Sequence, residues 1–94
     1  DFPAERAYHF GLVNVLTEEG GALAGAQELA AQICEAAPLA VRESRKIVIE
    51  ATDQPDEIGW KMSGDGIMAM FATEDFSEGL NAFIEKRAPQ WKGR

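Results

Sequence analysis

Four of the nine basic residues in this sequence, Lys86, Arg87, Lys92 and Arg94, fall in its last nine positions, with no acid after Glu85. The stretch just before them is the reverse: residues 50–85 carry nine acids and only Lys61 as a base. A cationic tip beside Phe83 and Trp91 could hold a phosphate through its ammonium or guanidinium groups and stack an aromatic base. Cations completing the negative end of a helix account for the same pattern. That dipole repels anions, so any phosphate contact has to come from the long side-chain tips. A second basic group, Arg42, Arg45 and Lys46, shares one helix face, where a solvated or ion-paired surface competes with an anion site.

The other reactive side chains are few. His9 is the only histidine, which leaves a histidine metal site or a Ser-His-Asp triad without support. It falls in a last helical turn, where a cation favours the dipole. The only cysteine, Cys34, lies on an apolar helix face as a buried structural thiol. Met62, Met68 and Met70 have the spacing of helix packing. The pairs Glu18-Glu19 and Glu74-Asp75 read as a turn and a helix start, and nothing in the sequence places them in a cleft with the perturbed acidity that general acid–base work needs. Gly20-Gly21 lacks the spacing of a phosphate loop and reads as a turn. No catalytic residue and no metal ligand is assigned.

Helices have to position these groups. Residues 3–9 read as a short helix stopped by Gly11. Leu12-Val13-Asn14-Val15-Leu16 reads as one short strand before the turn at 17–21. Apolar residues then recur at Leu23, Ala26, Ala30, Ile33 and Cys34, a helix ending before Pro38. Pro38 opens the next helix, with Val41, Ser44, Val48 and Ala51 as its core stripe. Pro55-Asp56-Glu57 starts a third, carrying Ile58, Met62, Ile67, Met70 and Phe71, with a kink or close crossing at Gly64–Gly66. Thr73 caps a fourth, with Phe76, Leu80, Phe83 and Ile84 on one side and Pro89 closing it.

Composition sets the frame. Hydrophobic residues make up 46% and charged residues 27% of the 94 positions, which is globular rather than disordered. Sixteen Asp and Glu against nine Lys and Arg give a net charge of −7, which disfavours nucleic acid and anionic membranes as partners. No apolar run approaches the ~20 residues that span a bilayer. A single cysteine fits a reducing compartment, so a cytoplasmic location is expected. The start at Asp1-Phe2-Pro3 and the lone strand, whose partner would lie elsewhere, read as a piece of a longer chain.

Three blocks resemble the crotonase (enoyl-CoA hydratase/isomerase) superfamily. The first is Ala4-Glu5 and Ala7 leading to Gly11-Leu12-Val13-Asn14. The second is Ala26, Leu29, Ala30 and Ile33 followed by Ala37-Pro38, Ala40-Val41 and Lys46. The third, and most specific, joins Glu74-Asp75, Glu78-Gly79, Ala82-Phe83 and Glu85-Lys86-Arg87 with Pro89 and Trp91. Together they cover nearly the whole chain in the family's order.

The resemblance implies a mostly α segment: the C-terminal helical oligomerisation region of a crotonase-like α/β fold built on a ββα spiral. Residues 1–21 would end the spiral core and residues 22–94 would form the trimerisation region, giving a homotrimer or hexamer. It implies a lyase of lipid and fatty acid metabolism that hydrates 2-enoyl-CoA, with acyl-CoA as substrate and no other cofactor. Enoyl-CoA isomerase and other family reactions are alternatives, and a non-catalytic helical interaction module is an alternative of another class. Family chemistry passes through a thioester enolate in an oxyanion hole of two backbone N–H groups, with two glutamates handling water in the hydratases. These elements lie upstream of Asp1 in the family pattern. Phe83 and Lys86 match positions near the adenosine and phosphate end of CoA, reached from a neighbouring subunit.

Overall fold

A computed structural model of the chain describes residues 2–94. Five helices follow one another: α1 (Ala4–His9), α2 (Ala22–Cys34), α3 (Pro38–Ala51), α4 (Asp56–Phe71) and α5 (Glu74–Glu85). The mostly α expectation holds. None of these helices is long and apolar enough to cross a membrane. The chain divides into two compact units, Asp1–Ile33 and Cys34–Arg94.

In the first unit α1 stops as its glycine requires. Gly11 takes φ +71°, and the N–H groups of Gly11 and Leu12 donate to the carbonyls of Tyr8 (3.0 Å) and Ala7 (2.9 Å), which is a Schellman closure. His9 lies in the last turn, as its dipole role requires. The Arg6 guanidinium sits 5.6 Å from the ring centres of both Phe2 and Phe10. The expected strand over 12–16 is not there, and no strand occurs among the described residues. The run Leu12–Leu16 is β-prone in composition, but a ladder needs a partner edge to bond its backbone, and the described residues supply none.

In the second unit α3 and α4 pack through small residues. A Cβ at Gly66 would stand 3.0 Å from Ile47 Cδ1 and 3.1 Å from Glu43 Cγ, while one at Gly64 would meet nothing. The glycine pair therefore makes a close crossing at Gly66, within a continuous helix. Gly59 repeats the close approach one contact further, its Cβ position 3.6 Å from Ala51 Cβ. The facing row of α3 runs through Glu43, Ile47 and Ala51. It is displaced by one residue from the expected Ser44 and Val48; Val48 is 68% exposed.

The loop from α4 to α5 turns at Thr73, whose Oγ1 donates to the Met70 carbonyl (2.8 Å) and accepts from the Phe76 N–H (3.1 Å). The Thr73 cap is where the sequence puts it, and the rings of Phe71 and Phe76 meet edge to face at 4.8 Å. Other expectations about burial fail too, on α2 at Leu23 and Ile33 and on α4 at Ile58, Ile67 and Phe71, all exposed. Cys34 is exposed, because it ends a helix in which no residue is buried. Met68 is exposed as well, since α4 meets its neighbours through the row of Gly59, Ser63, Gly66 and Met70.

Candidate functional site

The tail after α5 is not a loose cationic tip. Residues 88–94 run back along α5 and are fastened to it by three carboxylates. Asp75, only 2% exposed, accepts the backbone N–H groups of Lys92 (2.7 Å) and Gly93 (2.9 Å). Glu78 accepts Arg87 through both oxygens, at 2.5 and 3.0 Å, and also the Gln90 N–H at 2.6 Å. Glu74 takes Lys92 Nζ at 3.0 Å and Arg94 Nε at 3.1 Å. The Arg94 carbonyl in turn accepts the Glu74 N–H at 2.8 Å, satisfying one of the unpaired donors at the start of α5.

This strap explains why α5 is buried on an unexpected side. Asp75 and Ala82 are its buried residues, and with Glu78 and Gly79 they form the row that the tail covers. A Cβ at Gly79 would stand 3.4 Å from the Trp91 ring, so the glycine makes room for the indole. Of the row expected to pack, Phe76 does so against Phe71, while Leu80 is 51%, Ile84 75% and Phe83 84% exposed. Packing inside this chain therefore does not account for Phe83.

Lys86 stands just past the end of α5 with φ 53° and ψ 43°, a left-handed conformation that costs a non-glycine residue roughly 1 kcal/mol or more. Its N–H donates to Phe83 O (3.3 Å) and that of Arg87 to Ala82 O (3.0 Å). This is the Schellman closure seen at Gly11, with lysine in the glycine position. Arg87, Lys92 and Arg94 are consumed by carboxylates. Among the described residues Lys86 is the one tail cation with no carboxylate within salt-bridge distance. Lys86 and, three residues before it, Phe83 are both exposed.

The acids of α5 are structural ions. Hydrogen bonding from Arg87, and then from the Gln90 N–H, lowers the Glu78 carboxyl from the usual carboxylate range to about 2. The Lys92 ammonium is the leading cause of a lowering at Glu74. A base poised for proton transfer near neutrality needs the opposite shift, so these carboxylates are fasteners rather than proton carriers. Among the described residues no group of three or more His, Cys, Asp or Glu side chains could hold a metal ion.

On α3, Lys46 lies 3.6 Å from Glu43, which shows the ion-paired alternative for that one member of the basic group. An apolar hollow of about 240 Å³ opens between the α3 start and α5, lined by Leu39, Met70, Phe76, Gly79 and Trp91 among others. Sequence reasoning missed the strap, although the row Asp75, Glu78, Gly79, Ala82 carries helical spacing with acids and small residues. Large apolar side chains lie open on α4, Trp60 at 77% and Ile67 at 58% exposure, and on α2, Leu23 at 71%. Isolated soluble domains rarely expose such faces, which counts against a self-contained module.

Known proteins share this architecture. A family model described as enoyl-CoA hydratase/isomerase matches residues 1–94. Carnitinyl-CoA dehydratase of Salmonella typhi is 37% identical over 95 residues, covering 97% of this chain and 36% of that protein. The crystal structure of enoyl-CoA hydratase from Mycobacterium tuberculosis H37Rv superposes with a TM-score of 0.91 at 39% identity, over 98% of this chain and 36% of that one. Enoyl-CoA hydratase from Bacillus anthracis gives a TM-score of 0.91 at 31% identity, over 97% and 35%. The chain thus spans little more than a third of the length of these relatives. The match over every residue, carried by the same helices and tail, means that the chain belongs to the enoyl-CoA hydratase/isomerase family.

Proposed function

We propose that the chain serves an acyl-CoA enzyme that hydrates 2-enoyl-CoA thioesters, with Phe83 and Lys86 forming part of the CoA site. The observation that carries this reading is the exposed pair at the end of α5: Lys86, without a carboxylate partner in salt-bridge range, and, three residues before it, a Phe83 ring that is 84% exposed. An ammonium on a flexible stem suits a CoA phosphate, and an open aromatic face suits adenine. The helices of residues 22–94 serve subunit assembly in a homotrimer or hexamer, and their uncovered apolar faces fit that role. The enzyme works in the cytoplasm, where Cys34 stays reduced.

Carnitinyl-CoA dehydratase is named for the removal of water, which is hydration run in reverse, so its likeness to this chain is compatible with the same chemistry. The test is steady-state hydration of a 2-enoyl-CoA by the intact protein with Lys86→Gly. Glycine removes the ammonium and relieves the left-handed backbone. A rise in KM at constant kcat supports the contact, whereas an unchanged KM sinks it.

A further inference from the structure

We propose that Glu78 is the positioning residue for Lys86: it fastens the turn after α5 so that the Lys86 ammonium is presented to the nucleotide end of CoA. This rests on the CoA reading of Lys86 given above.

Lysine has no intrinsic reason to hold φ 53°, since its Cβ crowds the backbone there. The conformation persists only where neighbours over-determine it. The Lys86 N–H is held only loosely, at 3.3 Å from Phe83 O. The stronger hold is on the next residue. Arg87 is gripped at its N–H by Ala82 O (3.0 Å) and at its guanidinium by both oxygens of Glu78.

The same Glu78 carboxylate reaches past Ala88-Pro89 to the Gln90 N–H at 2.6 Å. Pro89 has no N–H to offer, so Gln90 is the first donor beyond it. One side chain therefore ties both flanks of the turn, and its side chain is only 18% exposed. A planar two-pronged pair fixes direction as well as distance, which a lysine in place of Arg87 cannot reproduce. With the turn fixed, the backbone from which the Lys86 stem departs is held in one conformation at the end of α5.

The test is a double-mutant cycle in the intact enzyme, combining Glu78→Gln with Lys86→Gly and reading KM and kcat. Two substrates are used: a 2-enoyl-CoA and the matching pantetheine thioester, which lacks the nucleotide. Glu78→Gln is expected to raise KM for the CoA ester roughly threefold to tenfold at nearly constant kcat, and to leave the pantetheine ester unchanged. In the Lys86→Gly background it should add nothing further, because its effect acts through the lysine. Arg87→Gln, which breaks the pair from the other side, should behave like Glu78→Gln. Should Glu78→Gln prove unstable, Arg87→Gln carries the test alone.

Additive effects in the cycle, or equal losses on both substrates, overturn the positioning role and leave Glu78 a purely structural ion. A Lys86→Gly enzyme with normal KM overturns the CoA reading, and the positioning role with it. A raised KM in Lys86→Gly with no effect from Glu78→Gln or Arg87→Gln overturns the positioning role alone.

Discussion

The indole Nε1 of Trp91 donates to the carbonyl oxygen of Glu35 at 2.9 Å, across 56 residues of sequence. This bond joins the tail strap to the turn between α2 and α3. The same ring covers Gly79 on α5 and walls the apolar hollow beneath it. Trp91 is thus a structural pin, held by a polar tip and an apolar body.

Replacing Trp91 with Phe keeps an aromatic ring but removes the donor and the outer ring atoms that reach Gly79, leaving the Glu35 carbonyl to water. A loss of about 1 kcal/mol is expected. Trp91→Ala also opens the hollow and should cost about 2 kcal/mol or more. Urea unfolding followed by circular dichroism reads both, and equal stability for all three proteins contradicts the pin.

Lys86→Gly should make the protein more stable, by about 0.5–1 kcal/mol. Relief of the left-handed backbone outweighs the extra chain entropy that glycine brings to the unfolded state. Thermal unfolding checks the sign. A destabilised Lys86→Gly would mean that the lysine side chain makes contacts that hold the turn.

Gly64 and Gly66 should respond differently to alanine, although both lie in α4. Gly64→Ala gains helix propensity with open space around it, about 1 kcal/mol of stabilisation. Gly66→Ala meets Ile47 and Glu43 side-chain atoms at 3.0 and 3.1 Å, so part of that gain is lost. Gly66→Leu overpacks the crossing and should cost roughly 1–3 kcal/mol. Matched chemical denaturation of the three variants decides, and a Gly66→Leu as stable as the parent rules out the close crossing.

Acid should loosen the strap. The Arg87 guanidinium and the Gln90 N–H hold the Glu78 carboxyl down at about 2 in the folded chain, below its ordinary value of 4.5, and Lys92 lowers Glu74 in the same direction. Both carboxylates bind protons more tightly in the unfolded state. Their contribution is therefore complete above pH 4.5 and is lost as pH falls from 4.5 towards 2. Tm followed over that window should fall, and Glu78→Gln should flatten the slope. An unchanged slope in Glu78→Gln contradicts the assignment.

The helices were legible because their signals are local. Pro38, Pro55 and Thr73 each mark a helix start within a residue, and Gly11 marks a stop, since φ restriction and capping act over one turn. What failed was anything decided by a distant partner. Leu12–Leu16 has the composition of a strand, but pairing is a property of two segments. The α3 row slipped by one residue because Ser44 and Val48 share the periodicity of Glu43 and Ile47, and only Gly66 on α4 selects between them. The strap was invisible because residues 90–94 have no period, and Asp75 reads in sequence as an ordinary first-turn acid. Phe83 and Lys86 emerged from the resemblance and from charge asymmetry, while the structure added why Lys86 differs from its neighbours: every other tail cation has a carboxylate.

The most direct measurement is the KM of the intact protein for a 2-enoyl-CoA, with lysine and then glycine at position 86. Loss of a charge-assisted phosphate contact should raise KM by roughly tenfold with kcat unchanged. Equal KM values for the two proteins would contradict the assignment of this end of α5 to CoA.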